Sequence, residues 1–201
     1  MIEFAEDAED CTGATLRAMG FKTEKIRETA KGRTPDFAAC RGSEHVLVEV
    51  KTTSPRSNLQ SFGQGIFGFF YSRFGGWDST DQKLFRALRG AIQQFASYDP
   101  RWVKPRVVVI VNFDRMQDSN SMRILLKGNQ PAEEAHVEIR RIMKGLDGFV
   151  WIDRRESKKP LKVFYTHSKH AKFAETFMEE FAATWSKSGF FTTGLATSSE
   201  P

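Results

Sequence analysis

Between residues 4 and 19, apolar or small side chains recur at Phe4, Ala8, Cys11 and Thr15 and again at Ala5, Thr12, Leu16 and Met19. A stripe with the helical period predicts a helix that buries one face, and Gly20 is positioned to end it. Residues 21–28 alternate weakly, as a strand would, and Gly32-Arg33-Thr34-Pro35 supplies a turn. Two β-prone runs follow, Asp36–Cys40 and Val46–Thr53, joined by the five residues 41–45 with Gly42 among them, which predicts a hairpin. The pattern breaks over 54–78, a stretch rich in Gly, Ser and aromatics. It resumes with Ser79, Thr80 or Asp81 as a cap and Leu84, Leu88, Ala91/Ile92 and Phe95 as the core stripe of a second long helix, ending before Asp99-Pro100. Within Arg106–Asn112, five consecutive β-branched residues predict a strand covered on both faces of a sheet. Further on, Pro131–Lys144 has helical spacing, Gly148–Asp153 and Leu161–Thr166 have the look of strands joined by a basic turn, and His170–Ser186 that of a closing amphipathic helix. Residues 188–201 carry no periodic pattern. The expected architecture is mixed α/β, one domain over 1–187 with a flexible tail at 188–201.

Composition narrows the class. At 201 residues the chain suits one domain with elaborations, and 40% hydrophobic with 27% charged residues gives it enough apolar material for a core. No window approaches 18 consecutive apolar residues and the start is acidic, so neither a membrane span nor a secretory signal is expected; the predicted location is cytoplasmic. Two cysteines, Cys11 and Cys40, support neither a disulfide framework nor a zinc knuckle, and both are expected to be small buried residues. Charge is more telling. The formal total is +5, but residues 1–10 hold five acids and no base, leaving the rest of the chain at +10. A basic body of this kind attracts polyanions, nucleic acid first.

The residues best placed for chemistry are Pro35-Asp36 and, on the second arm of the hairpin, Glu49-Val50-Lys51. Strand side chains alternate, so Glu49 and Lys51 share the face that Leu47 occupies, while the valines take the other. An acid and a lysine among β-branched residues are costly unless paired, and the neighbouring arm can bring Asp36 beside them. Two carboxylates with one lysine make a hard oxygen site for Mg²⁺ plus a cation able to orient a water or steady a phosphate. This constellation resembles the signature of the PD-(D/E)XK, or restriction-endonuclease-like, nuclease superfamily. The resemblance implies an αβββαβ core, a mixed sheet flanked by helices, over about residues 1–113. It implies Mg²⁺ (with Mn²⁺ as a substitute) held by Asp36, Glu49 and the backbone carbonyl of Val50, Lys51 orienting the attacking water, and an acid on the first helix. On a helical wheel Glu9 lies at the margin of the buried face and Asp10 points away; Glu9 is preferred and Glu6 is the reserve.

Gln94-Phe95-Ala96-Ser97-Tyr98 is similar to the Q-x-x-x-Y element of RecB-like members of that superfamily. Gln94 and Tyr98 share a helix face bordered by Ala87, Gly90 and Ala91, whereas Gln93 points outward. Small neighbours and a mid-helix glycine suit close approach by another group. Lys83, nearly in line with Gln94, and Arg86 extend a ridge for phosphate contact. The chain departs from the pattern in the 27 residues between Lys51 and this helix, an aromatic, Gly-rich insertion at 54–78 with Phe67, Phe70 and Trp77 and with Arg56 and Arg73 nearby. Two roles stand open for it: stacking on bases, or packing over the sheet edge or against a second copy in a homodimer. Its Gly63-Gln64-Gly65-Ile66-Phe67-Gly68 matches G-x-G-x-x-G literally but lies too far from the strand for a dinucleotide turn. His167 and His170 straddle a strand-to-helix junction and suit surface or capping roles. The extension 114–187, a predicted αββα addition, sits in a basic region: residues 101–172 hold 16 bases and 8 acids. Arg154, Arg155, Lys158 and Lys159 are its natural phosphate contacts, with Arg140 and Arg141 adding charge. The expected function is a Mg²⁺-dependent deoxyribonuclease, a phosphodiester hydrolase; the alternative is a noncatalytic nucleic-acid-binding or assembly module of the same fold.

Overall fold

The computed structural model describes residues 2–27, 33–53, 79–113, 144–154, 161–165 and 168–188, with backbone alone at 2–5, 79–85 and 161–165. Helix α1 (Ile2–Ala18) closes with a Schellman turn: Gly20, at φ +83°, donates to the Arg17 carbonyl, and the Phe21 N–H reaches back to that of Leu16. Glycine is required there because a Cβ disfavours that left-handed backbone. Strands β1 (Lys22–Lys25), β2 (Phe37–Arg41) and β3 (Glu44–Thr53) form an antiparallel meander. The hairpin is tighter than the sequence suggests. Arg41 pairs with Glu44 across a two-residue Gly42-Ser43 loop with Gly42 at φ +61°, so the ladder runs on into residues that polarity alone assigns to a loop.

Helix α2 (Ser79–Tyr98) carries the chain over one face of the sheet to β4 (Arg106–Asn112), which pairs parallel with β3. Strand β5 (Gly148–Asp153) pairs parallel with β4, and β6 (Leu161–Tyr165) lies antiparallel on β5. Helix α3 (Ala171–Lys187) follows. The result is one six-stranded mixed sheet in the order β1-β2-β3-β4-β5-β6. The two strands read as part of a C-terminal extension complete the same sheet as the first four. Positions 131–143, nearly all of the helix predicted between the fourth and fifth strands, lie outside the described residues.

Two apolar layers hold the sheet between helices. On one face Val46, Val48, Val50, Val107, Val109, Val111, Val150 and Ile152 pack with Ala8, Leu16 and Met19 of α1 and with Phe177, Met178, Phe181 and Trp185 of α3. On the other, Leu47, Val108, Ile110, Phe149 and Trp151 pack with Leu88, Ala91 and Phe95 of α2. Every side chain of β4 is buried, as a β-branched run at the centre of a sheet requires. Cys11 and Cys40 are free and only half-buried, less enclosed than their small apolar character suggests, because each sits at a margin of the packing. Strand β1 is short and polar, with Lys22 and Lys25 along it, which blunts that edge against pairing with another sheet. Among the described residues no helix is long and apolar enough to cross a membrane.

Candidate active site

Strand β2 begins at Phe37, paired with Val48, so beyond that point β3 continues with no partner strand on its β2 side among the described residues. The Asp36 side chain fills the gap. Its Oδ2 accepts the Val50 N–H at 2.7 Å, and its own N–H donates to Glu49 Oε2 at 3.1 Å. A strand residue sends its N–H and C=O out on the same side, so the Val50 carbonyl leaves β3 on the side that Asp36 occupies. Glu49, 1% exposed, sits between Val48 and Val50 but on the opposite face, the one covered by α2. Lys51, one pleat further, turns its ammonium back onto Glu49 Oε1 and donates to Gln94 Oε1 at 3.0 Å. Gln94 is itself buried, and its amide is fixed from behind: Nε2 donates to the Thr34 carbonyl at 2.9 Å. Asp36, Glu49, Lys51 and Gln94 therefore meet from three separate elements, the Thr34–Asp36 approach to β2, strand β3 and helix α2.

The electrostatics follow from burial. Glu49 is pushed up to about 7, first by loss of solvent and then by the Asp36 charge, with Lys51 opposing both. Asp36 is raised as well, chiefly by burial and also by the charge of Glu9, while the Val50 N–H and Lys51 pull it down. Two carboxylates thus share one close lysine and hold less negative charge than they would in water, an imbalance that a further cation would correct. Among the described residues no three of His, Cys, Asp and Glu converge on one point. Mg²⁺ does not need such a cage, because it keeps several waters and is bound through one or two carboxylates. Asp36, Glu49 and the Val50 carbonyl fit that requirement.

The other predicted residues distribute unevenly around this cluster. Glu9 is half-buried on α1, close enough for its charge to be felt at Asp36, and pairs with Lys25 of β1 at 2.7 Å; Glu6 is exposed. Arg86 is exposed on α2, and Lys83 lies on the same helix with its side chain outside the described residues. Tyr98, at the exposed end of α2, has the Lys104 ammonium 5.8 Å from its ring and is not brought to Lys51 or Glu49. Gly90 meets nothing within 4 Å of an added Cβ among the described residues, so the close approach expected there is absent from them. Arg154 is half-buried on the α1/α3 face, lining a small crevice with Asp7, Cys11, Phe113 and Trp185, away from the face that carries Gln94. Its charge lowers the Cys11 thiol against the larger upward effect of burial. His170 caps α3 by position, without a side-chain cap bond, and its ring Nε2 lies 3.3 Å from the Trp102 carbonyl. Arg56, Arg73, Arg155, Lys158, Lys159, Arg140, Arg141, His167 and the whole 54–78 insertion lie outside the described residues.

Two features escaped the sequence reading. Thr34 acts through its backbone carbonyl, which leaves no trace in residue type. At the carboxyl ends of the three parallel strands, Thr53, Asn112 and Asp153 stand in register; Thr53 Oγ1 donates to Asn112 Oδ1 and Asn112 Nδ2 to Asp153 Oδ2 at 3.2 Å. Asn112 and Asp153 are buried, on the same face as Glu49. Their signal in the sequence is a polar residue ending each of two apolar runs. No protein-family model matches this chain, and no curated protein or solved structure matches it significantly, so the site stands on its geometry.

Proposed function

We propose that the chain is a metal-dependent phosphodiesterase acting on DNA, built on a restriction-endonuclease-like core. The observation that carries this reading is the convergence of Asp36, Glu49, Lys51 and Gln94, residues 58 positions apart at the extremes, into one hydrogen-bonded cluster beside the Val50 carbonyl. Asp36, Glu49 and that carbonyl hold the divalent ion, and Glu9 adds negative charge from α1. Bound there, the ion supplies Lewis acidity, lowering the pKa of a water and offsetting the charge that develops on a scissile phosphate. Lys51 provides the mobile N–H donors that orient the attacking water, and Gln94, with its amide locked by Thr34, keeps the ammonium on the cluster. The basic body of the chain supplies the affinity for the phosphate backbone.

The test is cleavage of linear, circular and single-stranded DNA with and without Mg²⁺ or Mn²⁺, alongside calorimetry of metal binding. The reading requires metal-dependent strand cleavage, and weaker Mg²⁺ binding in Asp36→Asn and Glu49→Gln, since each replaces a charged oxygen donor by an amide. DNA binding without cleavage or metal uptake would assign the chain to the noncatalytic binding class instead.

A further inference from the structure

The four oxygens of the two candidate ligands are unequally engaged. Glu49 Oε2 accepts the Asp36 N–H and Asp36 Oδ2 the Val50 N–H, so both are tied to the backbone that shapes the site. Glu49 Oε1 is taken by the Lys51 ammonium. Asp36 Oδ1 alone accepts no hydrogen bond among the described residues. A cation that is to use both carboxylates therefore meets a resident one already on Glu49. Lys51 is the more accessible of the two partners, being about a quarter exposed at its side chain against 1% for Glu49. It also has somewhere to remain. Gln94 Oε1 accepts from the same ammonium at 3.0 Å, and because Nε2 of that amide is committed to the Thr34 carbonyl, the oxygen is held toward Lys51.

We propose that Lys51 is the resident counter-cation of this site, exchanged for a divalent metal ion: the ion competes with the Lys51 ammonium for Glu49 Oε1, and Gln94 retains the displaced ammonium beside the cluster. This regulation of the site rests on the metal-dependent reading given above. It separates two roles that a single lysine is asked to fill, neutralising Glu49 while the site lacks metal and presenting its N–H donors to a water once metal has entered. Exchange also lessens the repulsion the entering ion meets, because an ammonium moved off Glu49 onto a neutral amide stands farther from the ion than one still seated on its ligand oxygen.

The exchange has opposed signatures in Mg²⁺ affinity, which is measured without turnover. Replacing Lys51 by methionine, which keeps the length of the side chain and removes the competitor, should tighten Mg²⁺ binding by roughly tenfold, measured at a pH high enough that no proton replaces the ammonium on Glu49, while abolishing cleavage. Gln94→Ala, which removes the group that accepts the displaced ammonium, should weaken Mg²⁺ binding. Weaker or unchanged Mg²⁺ binding in Lys51→Met overturns the exchange while leaving the metal-dependent reading intact, provided the unaltered protein binds Mg²⁺; failure of the unaltered protein to bind the ion overturns both. Should Lys51→Met not fold, the unaltered protein decides alone. Its Lys51 Nζ resonance, assigned by its loss in Lys51→Arg, should move on addition of Mg²⁺ in step with the calorimetric binding curve, and a resonance that stays fixed while the ion binds overturns the exchange.

Discussion

Glu49 is a carboxylate almost wholly withdrawn from water, and its titration responds accordingly. In the unfolded chain it titrates near 4.5 and in the folded, metal-free protein at about 7. Between those values the native state keeps a proton that the unfolded state has lost, so the contribution of Glu49 to stability is full below pH 4.5 and is lost as pH rises through about 7. Asp36, raised for the same reason, contributes with the same sign. For Glu49 the loss is on the order of 3 kcal/mol. Urea denaturation in the presence of a chelator at several pH values measures it, and Glu49→Gln should abolish most of the dependence. Saturating Mg²⁺ should flatten it as well, because a bound cation favours the ionised carboxylate. Lys51→Ala should fold and bind DNA yet lose cleavage by about 10²-fold or more, the order of loss expected when the group that positions the reacting water is removed. This cluster was legible in the sequence because an acid and a lysine with one residue between them must share a strand face, and neither belongs among valines without a partner. The Thr34 carbonyl was not legible, since a backbone group is the same in every residue.

At the scale of elements, α2 delivers Gln94 to β3, and its phase decides which of two adjacent glutamines matters. Gln94 is buried against Lys51 and Thr34, whereas Gln93 is exposed. Gln94→Ala should therefore lower cleavage strongly while Gln93→Ala stays within about twofold of the unaltered protein; equal losses would show that the helix is phased differently. The same helix distinguishes two glycines. At Gly90 an added methyl group meets nothing within 4 Å among the described residues, so Gly90→Ala should stabilise by about 1 kcal/mol through helix propensity. A Cβ at Gly145 would stand 2.9 Å from two carbons of Ile92, in the packing that sets α2 on the sheet. Gly145→Ala should destabilise by roughly 1–3 kcal/mol, read from denaturant midpoints. The helices and the central strand were legible because their periods persist over many residues, as at Leu88, Ala91 and Phe95 or Val107 to Val111. The hairpin loop was overestimated because Arg41 and Glu44 are polar. They pair across the ladder at an exposed end, where Arg41 also holds both carboxylate oxygens of Glu180 on α3. That tie between distant parts of the chain is a tertiary effect no local pattern contains.

Across the whole molecule, two of the described basic side chains, Arg86 and Arg154, stand on opposite faces of the sheet. Glu49, Lys51 and Gln94 lie on the face covered by α2, and Arg86 projects to solvent from that helix. Arg154 lies on the other face, half-buried beside Cys11 and Trp185 under α1 and α3. From composition the two are interchangeable members of one basic body; if a duplex presents its phosphates to the cluster, as the proposed function requires, Arg86 rather than Arg154 is on the face that meets it. Each phosphate contact removed from a duplex-binding surface lowers the slope of log affinity against log salt by roughly 0.9. Arg86→Ala should show that change with no loss of stability, since an exposed arginine on a helix gives up little packing. Arg154→Ala should leave the slope unaltered and lower the thermal midpoint instead, because it removes a half-buried side chain from the crevice lined by α1, α3 and the end of β4. Binding isotherms at a series of salt concentrations, paired with melting curves of the same two variants, separate the roles. A reduced slope in Arg154→Ala with an unchanged melting point would move the DNA path to the α1/α3 face and detach it from the Asp36, Glu49 and Lys51 cluster.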